Sequence, residues 1–170
     1  LIWDFGIWIS DLLKDLDFGI NYWRFHLMDK TELKRRTKAF AVDVIKFTES
    51  LPNSRALSVL SNQLIRSSSS VGANYRSACR GKSQADFINK IIIVEEEADE
   101  SHYWLELIEE VAPFHLDTLP ILKKEAFELT AIFTAIGKTA KFNQRQSIEL
   151  KNQQKKINKS EIETPNSEME

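Results

Sequence analysis

Asp99-x-x-His102, with Glu95, Glu96 and Glu106 around it, is the pattern in this chain closest to a metal site. Residues three apart share a helix face, so a carboxylate and an imidazole so placed can reach one metal ion, as in di-iron bundles. A complete site of that kind needs the motif twice, with carboxylates from the two remaining helices. Glu125 and Glu128 come without a histidine, and residues 55–80 contain no acid. The simpler account is a solvated acidic face with a partner-facing histidine, so no metal and no cofactor are expected. A metal-dependent oxidase stays as a remote alternative. The serines at 67–70 have no histidine near them in sequence, and His102 and His115 match no Ser or Cys motif. Gly72 and Gly81 stand alone, so no phosphate-cradling loop is present. Cys79 is the single cysteine, which excludes an internal disulfide; it fits a reducing cytoplasm and is assigned no redox role. No catalytic residue is expected.

Charge offers a second kind of chemistry. The chain has a formal net charge of −2, but residues 28–82 hold eleven lysines and arginines against four acids. Residues 83–110 reverse this, with Lys90 against nine acids. Lys34, Arg35, Arg36, Lys38, Arg66, Arg76, Arg80 and Lys82 gather on two segments and the turn after them. Such a cluster can neutralise phosphates and release counterions, giving salt-sensitive, sequence-independent affinity for RNA or DNA. Phe40 and Tyr75 are the only aromatics among them and read as core, so backbone contact is favoured over base stacking. The acidic run from Glu95 to Glu100 reads as a wet face, or as a docking face for a protein partner.

Four helices must position these groups. The first runs over about 30–50, capped by Asp29, with Leu33, Phe40, Val44, Phe47 and Leu51 on one face. Pro52 ends it, and Ser54 or Asn53 caps a second helix reaching about Arg80. Its inner face is Leu57, Leu60, Leu64, Ser68, Val71, Tyr75 and Ala78, and its small residues 67–73 let a neighbouring helix approach closely. Gly81 fits a helix C-cap, and Ser83 caps a third helix extending to about Val111. Phe87, Ile91, Val94, Ala98, Leu105 and Ile108 form its stripe. Ile88, Ile92, Ile93, Tyr103 and Trp104 make other faces apolar too, so it needs cover on several sides. A fourth helix over about 118–142 contributes Leu122, Phe127, Leu129, Ile132, Phe133, Ile136 and Ala140.

The two ends read differently. Residues 1–27 hold three of the four tryptophans and repeat Asp-Phe-Gly-Ile at 4–7 and 17–20. The first methionine is Met28, and the segment is expected to be an atypical extension outside the native coding sequence. Residues 143–170 are polar with balanced charge and are expected to form a disordered tail. No apolar run of membrane-spanning length occurs.

Several pieces between 51 and 111 carry a resemblance. They are Leu51-Pro52, Gln63-Leu64-Ile65-Arg66, Asn74, Lys82-Ser83-x-x-Asp86-Phe87-Ile88, Glu97-Ala98-Asp99-Glu100 and Tyr103-Trp104-Leu105. Together they resemble the bacterial family encoded within intervening sequences of 23S ribosomal RNA genes, over about residues 30–140. The resemblance implies an all-α, up-and-down antiparallel four-helix bundle that assembles as a homo-oligomeric ring, often a homopentamer. It also implies distant kinship with the accessory protein of diversity-generating retroelements, which binds nucleic acid and a reverse transcriptase. The expectation is a cytoplasmic, non-enzymatic bundle that binds itself, and RNA or DNA through the basic surface of helices one and two. A scaffold docking a reverse transcriptase or other protein on helix three is the alternative; no membrane partner is expected.

Overall fold

The computed structural model describes residues 30–112 and 116–163, with side chains as far as Asn158. Among the described residues there are four helices and no strand: α1 (Lys30–Ser50), α2 (Arg55–Ala78), α3 (Gln84–Val111) and α4 (Leu119–Glu163). Each packs on its neighbour in sequence, and α1 closes against α4, so the expected antiparallel bundle is present with α2 diagonal to α4. The 1–27 extension and the Asp29 cap lie outside the described residues.

Local chemistry sets most boundaries. Ser54 takes extended backbone before α2 and its hydroxyl accepts from the Leu57 N–H at 3.1 Å; Ser83 does the same for Asp86 at the start of α3. Pro120 sits in the first turn of α4, where its missing N–H has no partner to lose. Gly81 is a correction. No described residue has positive φ, and α2 ends on Cys79 in right-handed backbone, tightened by Arg80 N–H to Ser77 O and Gly81 N–H to Ala78 O. Gly81 eases a close approach instead, because a Cβ there would lie a tight 3.1 Å from the Ala78 carbonyl and 3.3 Å from the Asp86 carboxylate.

The core follows the expected faces with one exception. Leu33, Phe40, Val44, Phe47, Leu57, Leu64, Val71, Tyr75, Ile91, Val94, Ala98, Leu105 and Ile108 are all buried. On α4 the inner stripe is Leu122, Ala126, Leu129, Phe133 and Ala140, with Ile136 packed against it. Phe127, expected in the core, is 60% exposed. It stands one residue beyond Ala126 on the stripe, a rotation of about 100° that carries it outward. Phe133 crosses the core diagonal and its ring meets Tyr75 of α2 at a centroid distance of 5.2 Å.

The small residues of α2 serve two neighbours. Ser67 turns to α3, where the Ser101 hydroxyl donates to it at 2.9 Å in a fully buried pair. Gly72 turns to α1, where a Cβ would lie 3.5 Å from the Thr37 carbonyl oxygen, an ordinary contact. Gly72→Ala is therefore expected to fit and to gain about 0.5–1 kcal/mol of stability from reduced backbone freedom in the unfolded chain. Gly72→Leu should lower the denaturation midpoint, since its extra atoms meet the α1 backbone. Chemical denaturation of both variants checks the pair.

The end of the fourth helix departs furthest from expectation. A stop near Phe142 and a disordered tail were indicated by the polar composition, but α4 continues as helix to Glu163. Residues 138–163 contain no proline and no glycine, and are rich in Gln, Lys, Glu and Ile, all compatible with helix.

Candidate nucleic-acid interface

The antiparallel packing gathers basic residues at one end of the bundle. Gly72 lies against Thr37, which brings the N-terminal half of α1 level with the C-terminal turns of α2. The Gln84 side-chain amide donates to the Ala140 carbonyl at 3.2 Å, which sets the first turn of α3 beside that part of α4. Lys34, Lys38, Arg76, Arg80 and Lys82 therefore share this end; Lys34 is half-buried and the others are exposed.

Three of the eight basic residues expected at the interface are engaged elsewhere. Arg36 is half-buried and bridges α1 to α4: its Nε donates to Glu125 Oε1 at 2.6 Å, and its Nη2 donates to both Glu125 and Glu128. Those carboxylates hold its guanidinium pKa above the ordinary value. Arg35 forms a two-pronged pair with Glu32 one turn back on the exposed face. Arg66 reaches from α2 to Glu100 of α3, which also accepts from the Trp104 indole at 2.9 Å. Sequence spacing cannot show these pairs, because two of them join segments 34 or more residues apart.

The acidic candidates do not converge. Asp99 is exposed, and His102 Nδ1 lies 3.7 Å from Glu106, with its ring 6.2 Å from that of Phe127. Lys123 pairs with Glu109 at 2.6 Å. Glu95 accepts from the Thr134 hydroxyl at 2.7 Å, a contact between α3 and α4. Among the described residues, no three of His, Cys, Asp and Glu come together to hold a metal ion.

Glu97 is the electrostatic outlier of α3. Its Oε2 is buried without a hydrogen-bond partner, and burial, then repulsion by Glu100, raises its pKa despite Arg66 nearby. A raised carboxylate pKa means that the folded state binds a proton more tightly than the unfolded state. The ionised form therefore costs stability above the folded pKa, and that cost fades as pH falls through it toward the unfolded value. Glu97→Gln is expected to raise Tm at neutral pH and to lose that advantage on acidification, which thermal melts across a pH series would register.

A second basic element was hidden in the sequence. Between residues 138 and 158, α4 presents Lys138, Lys141, Arg145, Lys151, Lys155 and Lys156, all exposed, against Glu149 alone. None of the six is engaged in an ion pair among the described residues. Averaging residues 143–170 makes the charge look balanced, because the acids cluster after Lys159. The usable signal was the order of the charges, together with the missing helix breakers.

Comparison with known proteins agrees with this architecture. The 23S rRNA-intervening sequence protein family matches residues 29–135. A solved structure of a protein of unknown function from the S23 ribosomal protein family of Bacteroides thetaiotaomicron is similar, with 33% identity and a TM-score of 0.59. It covers 65% of this chain and 99% of its own. No curated protein matches the chain. Neither the family description nor that of the solved structure names a catalytic activity, and no described helix is long and apolar enough to cross a membrane.

Proposed function

The chain belongs to the 23S rRNA-intervening sequence protein family, and from this premise we propose a non-enzymatic, self-associating bundle that binds RNA or DNA backbone in the cytoplasm. The observation that carries the reading is the collection at one end of Lys34, Lys38, Arg76, Arg80 and Lys82, cations with no ion pair among the described residues. Arg36 and Arg66 join helices through their ion pairs, Arg35 is held by Glu32 on its own helix, and all three belong to the interface less directly. Each phosphate neutralised by the remaining cations makes the logarithm of affinity fall by about 0.7–0.9 per logarithm of salt.

Labelled RNA and DNA titrated across a salt series test this. Binding that weakens steeply with salt supports it, and no binding at low salt rejects it. The variant for this experiment is Lys34→Glu with Lys38→Glu, Arg76→Glu and Arg80→Glu. Reversing Arg36 would set a third carboxylate beside Glu125 and Glu128 and report on stability instead.

Self-association, with five copies in a ring as the resemblance implies, is favoured by apolar side chains on outer faces: Val59, Tyr103, Ile121 and Phe127 are each more than half exposed. Light scattering reads the assembly, and a clean monomer would contradict it. A second reading rests on the exposed acids of α3, Glu96, Asp99, Glu106 and Glu110, which would dock a protein partner such as a reverse transcriptase. Salt-insensitive capture of that partner with no nucleic-acid binding would favour the second reading.

A further inference from the structure

The family match ends at residue 135, yet α4 runs on to Glu163. Gln84, in the first turn of α3, lies level with Ala140, so the last 23 residues of α4 extend past the start of α3, over about 35 Å at 1.5 Å per residue. They leave from the end that also carries Arg76, Arg80 and Lys82. Most helical stability in proteins comes from packing, so a partner that covers this segment would stabilise the helical form.

We propose that this projecting part of α4 is a duplex-DNA-binding arm that lies in the major groove. The inference rests on the nucleic-acid reading above and assigns it a particular element and form of ligand. Charge complementarity comes first. Lys141, Arg145 and Lys156 fall within about 60° of arc at 100° per residue, and Lys155 and Lys151 widen it on one side to about 140°, so the arm presents a broad cationic face to the phosphates that border a groove.

Phe142, Ile148, Leu150 and Ile157 are exposed apolar side chains on the arm, and the polar residues between them suit a groove. Asn143, Gln144, Gln146, Asn152, Gln153, Gln154 and Asn158 give the arm an unusual density of amides, and Asn and Gln side chains can pair with the N6 and N7 edge of adenine. Most of these amides are exposed, and none is needed to fill the core. A helix with its side chains is about 10–12 Å across, and the major groove of B-form DNA is about 12 Å wide. The major groove of A-form RNA is deep and too narrow for a helix, which favours DNA as the duplex. Phe142 at its base is the single aromatic side chain on the arm, so it has little with which to stack successive single-stranded bases.

The test uses the full chain, a labelled DNA duplex of mixed sequence, a duplex RNA and a single-stranded RNA, with anisotropy measured across a salt series. The arm variant combines Lys141→Gln, Arg145→Gln, Lys155→Gln and Lys156→Gln. All four side chains are exposed, so its melting temperature should match the wild type. The expected result is preference for the DNA duplex, at least a tenfold loss of affinity in the arm variant, and a salt slope smaller by about three. A matched bundle variant, Lys34→Gln with Lys38→Gln, Arg76→Gln and Arg80→Gln, should lose less. If the bundle variant loses affinity while the arm variant binds normally, the arm assignment is overturned and the reading under Proposed function stands. Equal or tighter binding to duplex RNA or single-stranded RNA overturns the groove assignment. If the wild type binds no nucleic acid at all, both fall together.

Discussion

Phe133→Ala is expected to cost the bundle about 3–5 kcal/mol, the largest loss available from a single side chain in this fold. Phe133 is fully buried on the inner stripe of α4 and meets Tyr75 across the core diagonal at 5.2 Å between ring centroids. Truncation removes the apolar transfer term and leaves a void between two helices that lie diagonally across the core. Neighbouring side chains are held by their own helices and can collapse into that void only in part. The tilted ring pair adds about 0.5–1.5 kcal/mol that disappears with it. Chemical denaturation should show a lower midpoint with an unchanged slope, and Tm should fall by roughly ten degrees. Phe133→Leu keeps most of the volume and should cost clearly less. An alanine variant as stable as the wild type would mean that Phe133 is not at the centre of the core.

Phe133 also shows how much of this fold can be read from the chain. Its position is fixed by a stripe at three- and four-residue spacing, Leu122, Ala126, Leu129, Phe133, Ile136 and Ala140, because a helix facing a core must repeat with its own turn. The same reasoning finds Leu64 and Val71 on α2, and the serine caps at Ser54 and Ser83, whose chemistry is local. Phe127 misled because hydrophobic identity was given more weight than phase. Gly81 misled because a glycine after a helix usually signals left-handed backbone, whereas here it relieves crowding near Asp86. The basic interface was legible as composition and illegible as geometry. Lys34 and Arg36 are two residues apart, about 200° around the helix, so one has no ion pair among the described residues while the other is drawn into contact with α4. That difference depends on which helix packs alongside, and a single segment does not contain it. The basic arm was missed for a different reason: a composition average over 143–170 cancelled charges that the chain keeps apart.

Arg36→Leu is expected to be the second most damaging change, at about 2–3 kcal/mol, although it exchanges a charged residue for an apolar one in a partly buried place. The guanidinium is the cation set between Glu125 and Glu128, and only 17% of its side chain is exposed. Losing it leaves two carboxylates one turn apart on α4, partly desolvated and repelling each other. Breaking a fully buried pair from one side costs about 3–5 kcal/mol, and solvent screening at these 24–27% exposed glutamates reduces that figure. The cost comes from the stranded acids more than from the lost attraction, which makes the prediction separable. In Arg36→Leu with Glu125→Leu and Glu128→Gln, the acids go with the cation, and most of the loss should be recovered. A triple variant as unstable as the single one would show that the Arg36 stem, packed between α1 and α4, supplies the stability. High salt sharpens the distinction. Screening between the exposed portions of Glu125 and Glu128 should lessen the defect of Arg36→Leu and leave the triple variant unchanged, and a defect that salt does not alter would contradict an electrostatic origin.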